Sequence, residues 1–103
     1  MISWGMNKFE AIEKLRARAN VIQAMGATSL YLYGSTVRDA AQPASDLDLF
    51  VDYDPAGRFN AFDLVGIKLF LERELDLAVD LTTRDGLHPM LKADIEQGAL
   101  RVF

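Results

Sequence analysis

The chain predicts an α/β fold of the α+β kind, a small mixed sheet with helices packed on one face. Three observations lead there. Helical and strand-like runs alternate in the order helix, strand, helix, strand, helix, strand. Gly, Pro and Asp-Gly punctuation separates the runs. The length, 103 residues of which 50% are hydrophobic, suits one core and falls short of a second. A single domain over residues 1–103 is therefore expected.

Asn7, with Glu10 three residues on, resembles a capping box, and Phe9, Ile12, Leu15, Ala19 and Ile22 follow at helical spacing. An amphipathic helix over residues 8–24 is expected, ended by Gly26 in the left-handed conformation. Leu30-Tyr31-Leu32-Tyr33 is apolar or aromatic on both faces and reads as a strand covered on both sides. Gly34 and Ser35 interrupt it, and Thr36 to Ala41 form a candidate short helix before Pro43.

Leu47, Leu49 and Val51 then alternate with Asp46, Asp48, Phe50 and Asp52, a strand with one apolar face and one that opens acidic. Asp54-Pro55-Ala56-Gly57 reads as a turn, and Asn60 with Asp63 starts a second helix through about Glu74. Its apolar face takes in Ala61, Phe62, Val65, Leu69, Leu64, Ile67 and Leu71. Leu77 to Leu81 returns to strand character, Asp85-Gly86 turns, Met90 to Gln97 is weakly helical, and Leu100 to Phe103 can form a last strand. Tyr31, Tyr33, Phe50, Phe62 and Phe70 are expected mainly in the core, whereas Trp4 either folds back on the domain or docks on a partner.

Composition excludes several classes of function. A net charge of -4 and a pI near 4.8 provide no basic patch for a long nucleic acid. A single nucleotide neutralised by metal is compatible with that charge. With no cysteine, disulfides, thiolate ligands and a cysteine nucleophile are unavailable. Met1 to Met6 lacks the parts of an export signal, and no run approaches the ~18 apolar residues of a membrane span. A cytoplasmic location without a membrane partner is expected, and self-association stays open.

The chemistry concentrates between Gly34 and Asp48. On a strand, residues i and i+2 project to one side about 6.7 Å apart, so Asp46 and Asp48 can aim at one volume while Leu47 anchors the opposite face. Two anions so close raise each other's cost of ionisation unless a cation lies between them, and magnesium suits oxygen ligands. Asp80, between Val79 and Leu81, is the other carboxylate embedded in a strand-like run. Three carboxylates on neighbouring strands could hold two metals, one on a triphosphate and one acidifying an attacking hydroxyl. Gly34 lets a phosphate approach the backbone, the following amides and the Ser35 hydroxyl can donate to it, and Arg38 can reach its oxygens. These parts suit phosphoryl or nucleotidyl transfer.

Gly34-Ser35, ten intervening residues, Asp46-x-Asp48 and the later Asp80 resemble the signature of the nucleotidyltransferase superfamily that includes DNA polymerase beta. The short chain is similar in particular to its minimal bacterial branch, the MNT-domain antitoxins paired with HEPN-domain toxins. The resemblance runs from Tyr31-Leu32-Tyr33 to Asp85-Gly86-Leu87 and implies a polymerase-beta-like fold. It implies that Ser35 holds the triphosphate of ATP with Gly34 and Arg38. By the same resemblance Asp46 and Asp48 bind two magnesium ions, and Asp80 completes the second site and activates the acceptor. Because 103 residues leave no room for an acceptor-binding domain, the implied acceptor is another protein, a tyrosine of a HEPN-type toxin that receives AMP. Where the family commonly has Gly after the arginine, this chain has Asp39, an added negative charge near the phosphates. That departure motivates the alternative, a binding-only antitoxin that neutralises its partner by complex formation.

Other charged residues have simpler readings. Asp52 lies about 13 Å along the strand from Asp48 and is expected to be a non-catalytic surface residue. Glu10 and Asp63 are helix-start residues, and the lone His88 is a loop residue with no support for zinc.

Overall fold

The computed structural model describes residues 7–38 and 46–103. Trp4, Asp39, Ala41 and Pro43 lie outside the described residues, and with them the roles expected of Trp4 and Asp39. The elements are α1 (Lys8–Arg16), α2 (Ala19–Ala24), β1 (Ala27–Tyr33), β2 (Leu47–Tyr53), α3 (Ala61–Leu75), β3 (Val79–Thr83), a 3-10 turn (Arg84–Gly86), α4 (Lys92–Gly98) and β4 (Leu100–Arg101). Four strands form one sheet in the order β3-β2-β1-β4. β1 pairs antiparallel with both β2 and β4, whereas β2 and β3 run parallel. A parallel pair needs a long return across the sheet, and α3 supplies it. The fold is thus the mixed α/β sheet expected from the element order.

Strand alternation sorts the two faces. Leu30 and Leu32 of β1, Leu47, Leu49 and Val51 of β2, and Val79 and Leu81 of β3 are buried against Ala11, Leu15, Ile22, Ile67, Leu71 and Leu75 of the helices. Each buried aliphatic side chain contributes roughly 1.5–3 kcal/mol. That layer leaves the next residue along each strand on the opposite face.

Two helical expectations are revised. The helix expected over 8–24 is divided at Ala17 and Arg18, where the Arg18 amide turns to the Leu15 carbonyl at 3.0 Å. No Gly or Pro marks the break. It is held by side chains instead: Arg18 donates to the Lys14 carbonyl at 2.7 Å and pairs with Glu74 of α3 at 3.2 Å, and Arg16 donates to the Val102 carbonyl at 2.8 Å. The bend allows Leu15 and Ile22 both to be fully buried.

On α3 the Asn60–Asp63 capping box forms as expected, and Asp76 ends the helix with a φ of 53°. Its buried stripe is Ile67, Leu71 and Leu75. Phe62, at 87% exposure, and Val65 and Leu69 stand outside, which corrects the expectation that Phe62 is core. One helix packed on one sheet face buries one stripe, and the apolar surface of α3 is wider than that.

Candidate active site

The face opposite α1, α2 and α3 carries the candidate site, with α4 beside it. Register pairs Tyr33 with Asp48 and Asp48 with Asp80, so three neighbouring strands set these residues in one row. Strands lie about 4.8 Å apart, which puts two carboxylates side by side. Asp46 stands exposed at the entrance to β2. Burial raises the Asp48 pKa above its ordinary 3.8, and the charges of Asp80 and Asp46 add to it, while Arg38 opposes them. The electrostatics therefore place Asp46, Asp48, Asp80 and Arg38 in one neighbourhood.

The end of β1 closes against this row. Gly34 has a φ of 80°, and a Cβ there would run into the Asp48 carboxylate, with Asp48 Cγ 3.1 Å away. Glycine is required both by the conformation and by the close approach. Ser35 is half-buried in the turn that follows, and the Arg38 amide returns to the Gly34 carbonyl at 3.3 Å. The expected short helix is a turn as far as Arg38.

Beside Gly34 opens a groove of about 420 Å³ lined by Tyr33, Val37, Arg38, Leu91, Asp94 and Ile95. Its walls are mainly apolar, with Arg38 and Asp94 as the charged groups among the described residues. The wall away from the sheet belongs to α4 and the residue before it.

A second row on the same face is aromatic. Tyr31 stacks on Phe50 with centroids 4.7 Å apart, and Tyr33 lies 5.7 Å from Phe50. Phe50, expected mainly in the core, is fully buried but lies outside the main core cluster. The Arg84 guanidinium lies 4.8 Å above Tyr31 and 5.0 Å from Phe50. Arg84 also binds Asp52 through two hydrogen bonds of 2.8 and 3.0 Å, and Glu96 at 2.6 Å. Asp52, expected at the surface, is the half-buried anchor of this arginine. His88 is exposed in a loop, as expected, its Nδ1 accepting from the Met90 amide at 3.2 Å.

Two participants escaped the sequence reading. Tyr33 was expected in the core, yet it is half-buried in the acidic row and its pKa is pushed up to about 12 by burial and by Asp48 and Asp80. A signal existed, since alternation with Leu32 sends Tyr33 to the acidic face just before Gly34. Arg84 had no local signal, because its partners come from three other segments.

In spectrophotometric titration without divalent cations, Tyr33 is expected to ionise near 12, above the ordinary 10.0. The folded chain then binds that proton more tightly than the unfolded chain, so this contribution to stability is lost as pH rises from 10.0 to about 12. Disappearance of that transition in Tyr33→Phe checks the assignment, and ionisation at the ordinary value would contradict it.

Among the described residues, no group of three or more His, Cys, Asp or Glu is gathered closely enough to hold a metal ion alone. The donor set nevertheless fits a hard cation. Asp48 and Asp80 are oxygen donors in register whose mutual repulsion a cation would relieve, and magnesium normally takes only one or two carboxylates, with phosphates and waters completing its shell.

A nucleotidyltransferase domain model matches residues 12–102. The chain belongs to that family. This nucleotidyltransferase is 33% identical over 72 residues to a Methanocaldococcus jannaschii protein named "Putative protein adenylyltransferase MJ0435", covering 70% of this chain and 75% of that one. A second protein of that organism, "Putative protein adenylyltransferase MJ1379", is 32% identical over 75 residues, 72% of this chain and 75% of its own. Among solved structures, a "putative minimal nucleotidyltransferase" superposes with a TM-score of 0.70 at 30% identity, covering 95% of this chain and 98% of that chain. A toxin-antitoxin crystal structure with AMP-PNP superposes at 0.71 and 18% identity, covering 89% of this nucleotidyltransferase and 72% of that chain, a likeness of fold. Within the described residues no helix is long and apolar enough to cross a membrane.

Proposed function

We propose that this nucleotidyltransferase moves AMP from ATP to a hydroxyl of a partner protein, a tyrosine of a HEPN-type toxin, and so acts as its antitoxin. The observation that carries the reading is the in-register pair Asp48 and Asp80, with Asp48 pressed against the Gly34 turn. The names of the Methanocaldococcus jannaschii relatives support protein as acceptor, and the toxin-antitoxin complex superposes on this fold.

In this reading the backbone from Gly34 to Ser35, the Ser35 hydroxyl and Arg38 hold the triphosphate, and the nucleoside extends into the groove walled by Val37, Leu91 and Ile95. Asp46, Asp48 and Asp80 would hold magnesium, which when bound supplies positive charge against the phosphates and acidifies the acceptor hydroxyl. Asp80, exposed at the sheet edge, takes the hydroxyl proton. The hydroxyl oxygen bonds to the α-phosphorus, the α–β phosphoanhydride bond breaks, and pyrophosphate leaves. Arg38 offsets charge gathering on the leaving phosphates.

Mass spectrometry of a HEPN-type protein after incubation with this chain, ATP and magnesium is expected to show AMP on a tyrosine. Suppression of toxicity by the complex with no added AMP would replace this reading by the binding-only one.

A further inference from the structure

We propose that Arg84 is a positioning residue for the nucleotide: by pinning α4 through Glu96, it fixes the wall of the groove beside Gly34. The inference rests on the nucleotide-transfer reading above and adds a residue that touches neither substrate nor phosphate.

α4 cannot hold itself in place. It has seven residues, none buried, and its N-cap Leu91 makes no side-chain cap. A helix so short is marginal without outside contacts. Among the described residues, the Arg84–Glu96 contact of 2.6 Å is the one side-chain hydrogen bond or ion pair that joins α4 to another element.

Arg84 is itself held from several sides. Asp52 grips it in a two-point contact, and the rings of Tyr31 and Phe50 lie under its guanidinium. Such planar, bidentate and stacked contacts fix the arginine's orientation. Glu96 therefore holds on to the sheet through a rigid post.

The placement around the helix connects this post to the groove. Leu91, Asp94, Ile95 and Gly98 line the groove. At ~100° per residue they form one stripe, and Glu96 projects roughly 150° from its centre. One side of α4 is thus tethered while the other faces the nucleotide site. Releasing Glu96 frees the wall without altering any residue that lines it.

The test is calorimetric titration of a non-hydrolysable ATP analogue with magnesium into the full chain and into Glu96→Ala, which keeps Arg84 on Asp52 and on both rings. Loss of one charge-assisted contact is expected to weaken binding about fivefold, with kcat changed less than about twofold. Amide exchange in α4 is expected to quicken while the melting temperature stays within about 2 °C. Glu96→Gln, which retains an acceptor for Arg84, is expected to restore most of the affinity. Arg84→Leu should weaken binding without adding to the effect of Glu96→Ala, as residues of one contact do.

Unchanged affinity in Glu96→Ala, with the unsubstituted chain binding normally, overturns this inference alone. No binding by the unsubstituted chain overturns the nucleotide reading and this inference with it. Should Arg84→Leu fail to fold, the two Glu96 variants decide.

Discussion

Asp48→Asn is expected to lower nucleotide transfer by about 10²–10³-fold or more while leaving the fold at least as stable as the unsubstituted chain. The substitution is nearly isosteric, so packing beside Gly34 is preserved. It removes the carboxylate that lies between Asp80 in register and Asp46 at the strand entrance. Without a cation that carboxylate is an electrostatic burden. Its folded pKa lies above the unfolded value of 3.8, so the folded chain binds the proton more tightly and stability falls as pH rises through the interval above 3.8. At neutral pH the amide escapes that loss. A melting temperature equal to or above that of the parent, together with transfer at the detection floor, is the expected pair of results. Full transfer by folded Asp48→Asn would contradict the assignment.

Gly34→Ala is the second large effect, and it should affect both fold and chemistry. A left-handed φ costs an alanine about 1–2 kcal/mol. The new methyl also overlaps the Asp48 carboxylate, and overpacking costs about 1–3 kcal/mol. Either the turn shifts away or Asp48 rotates out of its row. A displacement near 1 Å at a reacting centre can cost about 10²-fold in rate. Thermal unfolding and transfer assays on the variant should show a melting temperature several degrees lower and a rate down by about that factor. An unperturbed melting temperature would contradict the close approach.

The sequence revealed most where a single local rule was decisive. Period-two alternation in Leu47 to Asp52 put Asp48 opposite the core, and the Asn60–Asp63 pair located the start of α3. The pairing of Asp48 with Asp80 was less accessible, because register between strands joined by a helix depends on how α3 packs. Tyr33 was readable from alternation but was assigned to the core by its hydrophobic character. Arg84, Asp52 and Glu96 could not be grouped from sequence, since only the folded sheet brings a turn, a strand end and a short helix together. The bend at Arg18 escaped for a similar reason, since the Lys14 carbonyl accepts from the Arg18 side chain while Arg16 and Arg18 donate to the distant Val102 carbonyl and Glu74. Phe62 shows the converse error, a helix with more apolar surface than its sheet covers.

β3 is the outermost strand on its side of the sheet, five residues long, with Asp80 as its one ionisable side chain. A free strand edge is a template for pairing with another chain, and charge is one of the means by which natural sheets discourage it. In the proposed reading the Asp80 carboxylate thus has a second consequence, a charge on a free strand edge. An apolar residue at position 80 would leave a short, uncharged, β-prone margin open to self-assembly, and colloidal behaviour would change along with catalysis. If Asp80 serves transfer as proposed, solubility and turnover share one side chain at this edge.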